Sequence, residues 1–177
     1  IDAGAKHITI EIQRGGITYI RITDDGCGIN SEDVPKAFLR HATSKIKQAV
    51  DLDSISTLGF RGEALAATRA VSRVELFTKT TDEDFGTHYK IEGGEELLYE
   101  EVGCPDGTTL IVRDLFYNTP ARMKFLKKDV SEGTTVSAII ERQALSHPEI
   151  AFKLIRDGKQ TLSTSGDGKL ASAVYSV

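Results

Sequence analysis

The first residues suited to chemistry are Asp24-Asp25-Gly26-Cys27-Gly28-Ile29, set between a strand pattern and a helix start. A strand followed by Gly-x-Gly and a helix also opens the dinucleotide fingerprint. Here the third glycine is replaced by Ser31, and a carboxylate stands directly before the first glycine, where it would repel a pyrophosphate. A carboxylate suits a donor instead, such as the exocyclic amine of adenine, and paired glycines let a flat base approach the backbone. Read alone, the hexapeptide leans toward a tight turn with solvated acids.

Three further clusters follow. In Thr57-Leu58-Gly59-Phe60-Arg61-Gly62-Glu63-Ala64-Leu65, glycines lead into a helix start, where unpaired backbone N–H groups attract phosphate. Arg61 adds a fixed charge, and Glu63 suits the positive end of the helix dipole. An ordinary flexible loop running into a well-capped helix accounts for this stretch equally. In Arg40-His41-Ala42-Thr43-Ser44-Lys45, Thr43, Ser44 and Lys45 could cover phosphates as a closing lid does; a solvated loop is the alternative. His41 has no partnered Asp or Ser pattern around it and reads as a packing or hydrogen-bonding residue. Gly107-Thr108-Thr109 places hydroxyls at a strand start, where they can hold a water beside a base. Beyond it, Arg122, Lys124, Lys127 and Lys128 form a basic run after a helix cap. A solvated helix face is its first reading and DNA contact its second.

Hairpins and interspersed helices must position these clusters. Ile8, Ile10 and Ile12 alternate with polar residues, Gly15-Gly16 supplies a turn, and Ile20 and Ile22 alternate in a return strand. Asn30 and Ser31 are capping types ahead of Val34, Ala37 and Phe38 at helical spacing, with Pro35 tolerable only in the first turn. Residues 40–62 read as a long polar loop, of a length usually reserved for function or motion. Glu63–Val71 is helix-like. Strands are predicted over Val74–Thr78, His88–Glu92, Leu97–Val102 and Thr109–Arg113. Thr119 is placed to cap a short helix with Pro120 at its first position, and Val136, Ile139, Ile140 and Leu145 suggest a second amphipathic helix. Phe152–Ile155 and Thr161–Ser163 flank an Asp157-Gly158 turn. The pattern implies a two-layer α/β sandwich, a mixed and mostly antiparallel sheet with helices on one face.

The 177 residues fit one domain with a sizeable core. No apolar run approaches the roughly 20 residues of a membrane span, and no signal-peptide pattern opens the chain. Cys27 and Cys104 are too few for a disulfide framework, and no Cys/His cluster has metal spacing. A net charge of −4 argues against a general nucleic-acid coat but leaves room for a local basic face. There is no GxxxxGK[ST] run, which excludes a P-loop. The start, Ile1-Asp2-Ala3-Gly4-Ala5, lacks a Met and looks like a cut inside a larger unit, and about 165–177 leads toward a following domain.

The order of these stretches resembles the GHKL ATPase superfamily: Asp-Gly-x-Gly-Ile, a long lid, Gly-Phe-Arg-Gly-Glu-Ala-Leu, then Gly-Thr-Thr. RHATSK, LGFRGEAL and DLFYNTPAR are similar to the MutL family of DNA mismatch-repair proteins in particular, across essentially the whole chain. A topoisomerase ATPase subunit, a nearer relative than most, would not carry DLFYNTPAR.

That resemblance implies an ATP site. Asp24 would accept from the adenine amine, Gly26 and Gly28 would line the base, and Thr108 or Thr109 would hold it through water. Thr43, Gly59, Phe60, Arg61, Gly62, Glu63, Ala64 and Leu65 would belong to the phosphate-binding lid and helix start. Asp25 stands where the family commonly has Asn. The family's first motif reads Glu-x-x-x-Asn-Ser-x-Asp-Ala-Gly-Ala, of which Asp2-Ala3-Gly4-Ala5 matches the end. The general base Glu and the Mg²⁺-ligating Asn are therefore expected upstream of Ile1, and a closing lysine beyond Val177. The implied protein hydrolyses ATP to ADP and phosphate and dimerises through its N-terminal domains. It couples a MutS-type mismatch sensor to DNA and to a downstream nuclease or helicase, in the cytoplasm of a bacterium or the nucleus of a eukaryote. The 177 residues alone are expected not to turn over ATP. Two rival readings are a non-hydrolysing nucleotide-binding and dimerisation module, and a DNA-binding scaffold with a vestigial pocket.

Overall fold

The computed structural model describes residues 1–42, 58 and 62–177. Among them, eight strands form one sheet: β1 (His7–Gln13), β2 (Tyr19–Asp24), β3 (Arg73–Lys79), β4 (Gly86–Glu92), β5 (Glu95–Val102), β6 (Gly107–Arg113), β7 (Ala151–Arg156) and β8 (Lys159–Ser163). Their order is β5-β4-β3-β6-β2-β1-β7-β8. All neighbours are antiparallel except β1 and β7, which need the long crossover that a parallel pair requires. The described helices are α1 (Val34–Ala37), α2 (Ala64–Val71), α3 (Pro120–Met123), α4 (Asp129–Ser146) and α5 (Leu170–Ser176).

Strand alternation aims one side chain in two at the helical layer, which yields two apolar clusters on that face. Ile8, Ile10 and Ile12 of β1 pack with Phe152, Leu154 and Leu162 of β7 and β8 beneath Val136, Ile140 and Ala144 of α4. Val74 and Leu76 of β3, Tyr89 and Ile91 of β4 and Val112 of β6 pack with Val34, Phe38 and Leu65. Ile20 of β2 touches both.

The hairpins, the short helix after Thr119 and the sandwich agree with the sequence reading; two details differ. The core-facing row of α4 is Val136 and Ile140, both half-buried, and buried Ala144 at four-residue spacing, so Ile139 falls off that stripe and is exposed. Thr119 occupies the N-cap of α3, with Pro120 in the first turn, but its hydroxyl makes no cap hydrogen bond and is buried with no partner among the described residues. The backbone of Thr119, at ψ 65, lies outside the extended conformation from which a capping side chain ordinarily reaches the first turn.

Candidate functional site

Strand β2 runs into the site. Its last residue, Asp24, lies between Ile8 of β1 and Thr108 of β6, and two residues back Ile22 lies between Ile10 and Leu110. Although β2 is central, Ile22 remains 38% exposed. Ile22 belongs to neither core cluster, although Ile20, two residues back on the same strand, packs against both.

The loop after Asp24 is wedged into its surroundings. The Asp24 Oδ1 accepts the Gly26 N–H at 2.9 Å; among the described residues its Oδ2 has no partner. A Cβ on Gly26 would lie 2.7 Å from the Ala3 Cβ, and the Cys27 N–H donates to the Ala3 carbonyl at 3.0 Å. Gly28 adopts φ +71°, and a Cβ there would strike the Lys79 carbonyl oxygen, so both conformation and space demand glycine. The Ile29 N–H donates to Thr78 Oγ1 at 2.9 Å. The buried Thr78 hydroxyl donates to the Gly107 carbonyl at 3.0 Å and faces Thr108 Oγ1 at 3.1 Å.

Two carboxylates fasten the loop from outside. Asp25 Oδ1 accepts the N–H groups of Lys6 and His7 at 2.7 and 2.8 Å, and its Oδ2 meets His7 Nδ1 at 2.7 Å. Partial burial pushes its pKa up, but the backbone and ring of His7 with the Lys6 N–H outweigh that and bring it to about 2. Glu83, in the β3–β4 connection, accepts the Ser31 N–H at 2.9 Å through Oε1 and the Thr80 hydroxyl at 2.9 Å through Oε2. Hydrogen bonds from Ser31, backbone first, and from Thr80 lower its pKa to about 2.

Of the residues singled out from sequence, Asp24, Gly26, Gly28 and Thr108 come together here. Thr109 points to the opposite face, where its hydroxyl donates to Thr23 Oγ1 at 3.1 Å; one residue along a strand reverses direction. Gly62, at φ +60°, rests against the backbone of Ala42. Glu63 precedes α2, its Oε1 3.5 Å from His41 Nδ1. Ala64 opens α2 and is exposed, whereas Leu65 packs into the core cluster beneath α1 and α2. Thr43, Gly59, Phe60 and Arg61 lie outside the described residues, as do Ser44 and Lys45. Arg122, Lys124, Lys127 and Lys128 are all exposed and, among the described residues, form no ion pair.

Sequence reasoning passed over Thr78, Glu83 and Ala3, whose roles depend on which strands adjoin. Asp25 carried a visible signal, a second acid in the motif, but its partners did not.

The arrangement offers a carboxylate acceptor beside the exposed apolar side chain of Ile22, with glycines holding the loop tight and the Thr108 hydroxyl one strand away. It suits a planar, amine-bearing base.

A family model described as histidine kinase-, DNA gyrase B- and HSP90-like ATPase matches residues 1–96. The chain is 56% identical over its whole length to the DNA mismatch repair protein MutL of Agathobacter rectalis, covering 27% of that protein. It is 52% identical over 98% of its length to the MutL of Caldanaerobacter subterraneus subsp. tengcongensis, covering 30% of it. The chain thus spans little more than a quarter of the curated relatives it matches. Among solved structures, the Aquifex aeolicus MutL ATPase domain complexed with ADP matches with a TM-score of 0.79 and 34% identity, over 98% of this chain and 61% of that one. The N-terminal domain of a DNA repair protein matches with a TM-score of 0.81 and 27% identity, over 99% of this chain and 52% of that one.

Proposed function

We propose, for a chain that belongs to the histidine kinase-, DNA gyrase B- and HSP90-like ATPase family and within it to the MutL proteins, that the surface at the end of β2, around Ile22 and Asp24, binds the adenine of ATP. The observation that carries this reading is Asp24. Its Oδ1 shapes the loop by accepting the Gly26 N–H, while its Oδ2 is left to accept an amine. Ile22 supplies apolar floor for the ring, and Gly26 and Gly28 let the loop fold tightly against Ala3 and Lys79 beside it. Thr78 spends its proton on the Gly107 carbonyl, so the Thr108 hydroxyl donates to Thr78 and turns its lone pairs toward a bridging water.

The phosphates extend from this base toward Gly62 and the start of α2, where backbone N–H groups face outward. Thr43, Gly59, Phe60 and Arg61 belong to the same phosphate-binding stretch. Among the described residues no group of three or more His, Cys, Asp or Glu could hold a metal ion, so Mg²⁺ enters this reading only as the companion of the phosphates.

Each carboxylate beside the loop already has a structural partner. Asp24 holds Gly26, Asp25 holds Lys6 and His7, Glu63 faces His41, and Asp2 accepts the Leu58 N–H at 3.4 Å. None of the four is proposed as the base for water, and residues 1–177 alone are proposed not to turn over ATP.

At the level of the whole protein we infer a mismatch-repair ATPase of the bacterial cytoplasm. ATP binding and hydrolysis would switch dimerisation and couple a MutS-type sensor to DNA and to nuclease or helicase partners. The exposed, unpaired run of Arg122, Lys124, Lys127 and Lys128 favours direct DNA contact as part of that role.

The test is adenine selectivity. Asp24→Ala should weaken ATP binding about tenfold or more while leaving weak GTP binding unchanged, because the adenine amine loses its acceptor. Equal affinity of the unmodified protein for ATP and GTP would rule the assignment out.

A further inference from the structure

We propose that Asp25 and Glu83 are positioning residues of the nucleotide site, setting the path of the glycine loop and through it the orientation of the Asp24 carboxylate. The proposal rests on the adenine reading above and adds to it two groups that do not touch the base.

Where β1 and β2 reach their last paired residues, Ile8 and Asp24, the backbone ladder ends. Asp25 continues it with a side chain. One oxygen takes the next two N–H groups of the neighbouring strand, from Lys6 and His7, and the other takes the His7 ring. This fixes the start of the loop against the segment that contains Ala3, whose carbonyl receives the Cys27 N–H and whose Cβ limits the space at Gly26.

Glu83 does the same at the far end. Its carboxylate joins Ser31, just past the loop, to Thr80, and Thr80 follows Lys79, the residue on which Gly28 closes. Ionised carboxylates are acceptors only, with room for several donors at once. The two of them therefore hold both ends of the loop. Neither shares a hydrogen-bond partner with Asp24, so each acts on the base only through the loop. Releasing either end lets the turn at Gly26 open, and Asp24 Oδ1 then loses the N–H that orients it.

Binding of ADP and of GDP to the full gene product tests this, with Asp24→Ala as reference. Asp25→Ala and Glu83→Ala should each weaken ADP about tenfold with little change for GDP, reducing the preference for adenine. Asp25→Asn, which keeps an acceptor for the Lys6 and His7 N–H groups, should restore it. Adding either alanine to Asp24→Ala should weaken ADP no further, since all act on one contact. Should an alanine variant fail to fold, Glu83→Asp, which keeps the charge but shortens the reach, must still lower the ADP preference. Unchanged ADP affinity, equal losses for ADP and GDP, or losses that add to that of Asp24→Ala would each overturn the proposal while leaving the adenine site standing. If Asp24→Ala itself has no effect, the adenine reading fails and takes this one with it.

Discussion

Thr78 and Thr108 face one another across β3 and β6 with hydroxyl oxygens 3.1 Å apart, and the same Thr78 oxygen receives the Ile29 N–H at 2.9 Å. A buried side chain in the sheet thereby holds the far side of the glycine loop to the strand that carries the Gly107-Thr108 pair. Thr78→Val keeps the shape and removes the acceptor. It should cost about 1–3 kcal/mol, the typical penalty for an unsatisfied buried donor, read as a lower urea midpoint, whereas Thr78→Ser should recover most of it. An unchanged midpoint in the Val variant would remove Thr78 from this role.

A second prediction concerns acid. On the sheet face away from the helices, Glu75 meets His88 Nε2 at 2.9 Å, Lys90 Nζ at 3.1 Å and an Arg113 guanidinium nitrogen at 2.7 Å. Burial raises its pKa, but hydrogen bonds from Arg113, His88 and Lys90 overcome this and lower it from 4.5 to about 2. The folded chain therefore keeps Glu75 ionised at pH values where the unfolded chain has protonated it. Its contribution is complete above about pH 4.5 and drains away as the pH falls toward about 2. Glu75→Gln should lower stability by about 2 kcal/mol at neutral pH and flatten the loss of stability over that acid window. The comparison is of urea midpoints from pH 7 downward, and parallel curves for the two chains would contradict it.

The basic run gives a salt-dependent prediction. If Lys124 and Lys128 contact DNA phosphates, Lys124→Glu with Lys128→Glu should weaken binding and reduce the salt slope by about one unit per lost contact. An unchanged slope would leave the run a solvated face.

The fourth concerns turnover. A general base alone contributes about 10²–10⁴-fold, and Asp24, Asp25 and Glu63 are each given other roles in the reading above. Residues 1–177 alone should release phosphate from ATP at least about a hundredfold more slowly than the full gene product. Similar rates would place the base within these residues.

Much of this was readable from residue order. The alternation of Ile8, Ile10 and Ile12 specified a half-buried strand, and the Asp24–Ile29 motif located the loop, because local chemistry decides both. What could not be read was adjacency. Thr78 and Glu83 are unremarkable residues until β3 is known to lie beside β6 and the β3–β4 connection to reach Ser31. Thr108 and Thr109 were indistinguishable until the register paired Asp24 with Thr108. The exposure of Ile22 was likewise hidden, since an apolar residue in a central strand reads as core, yet Ile22 belongs to neither core cluster.

The parallel pairing of β1 with β7 also bears on the order in which the chain can assemble. β1 finds β2 through a short hairpin, but its other edge is satisfied by residues from the opposite end of the sequence, and the Arg14 N–H meets Asp157 across a separation of 143 residues. Such distant contacts form slowly, because a long loop must close before any gain in contact energy offsets it. During synthesis, the strand that anchors Asp25 therefore stays open on one side until β7 has left the ribosome.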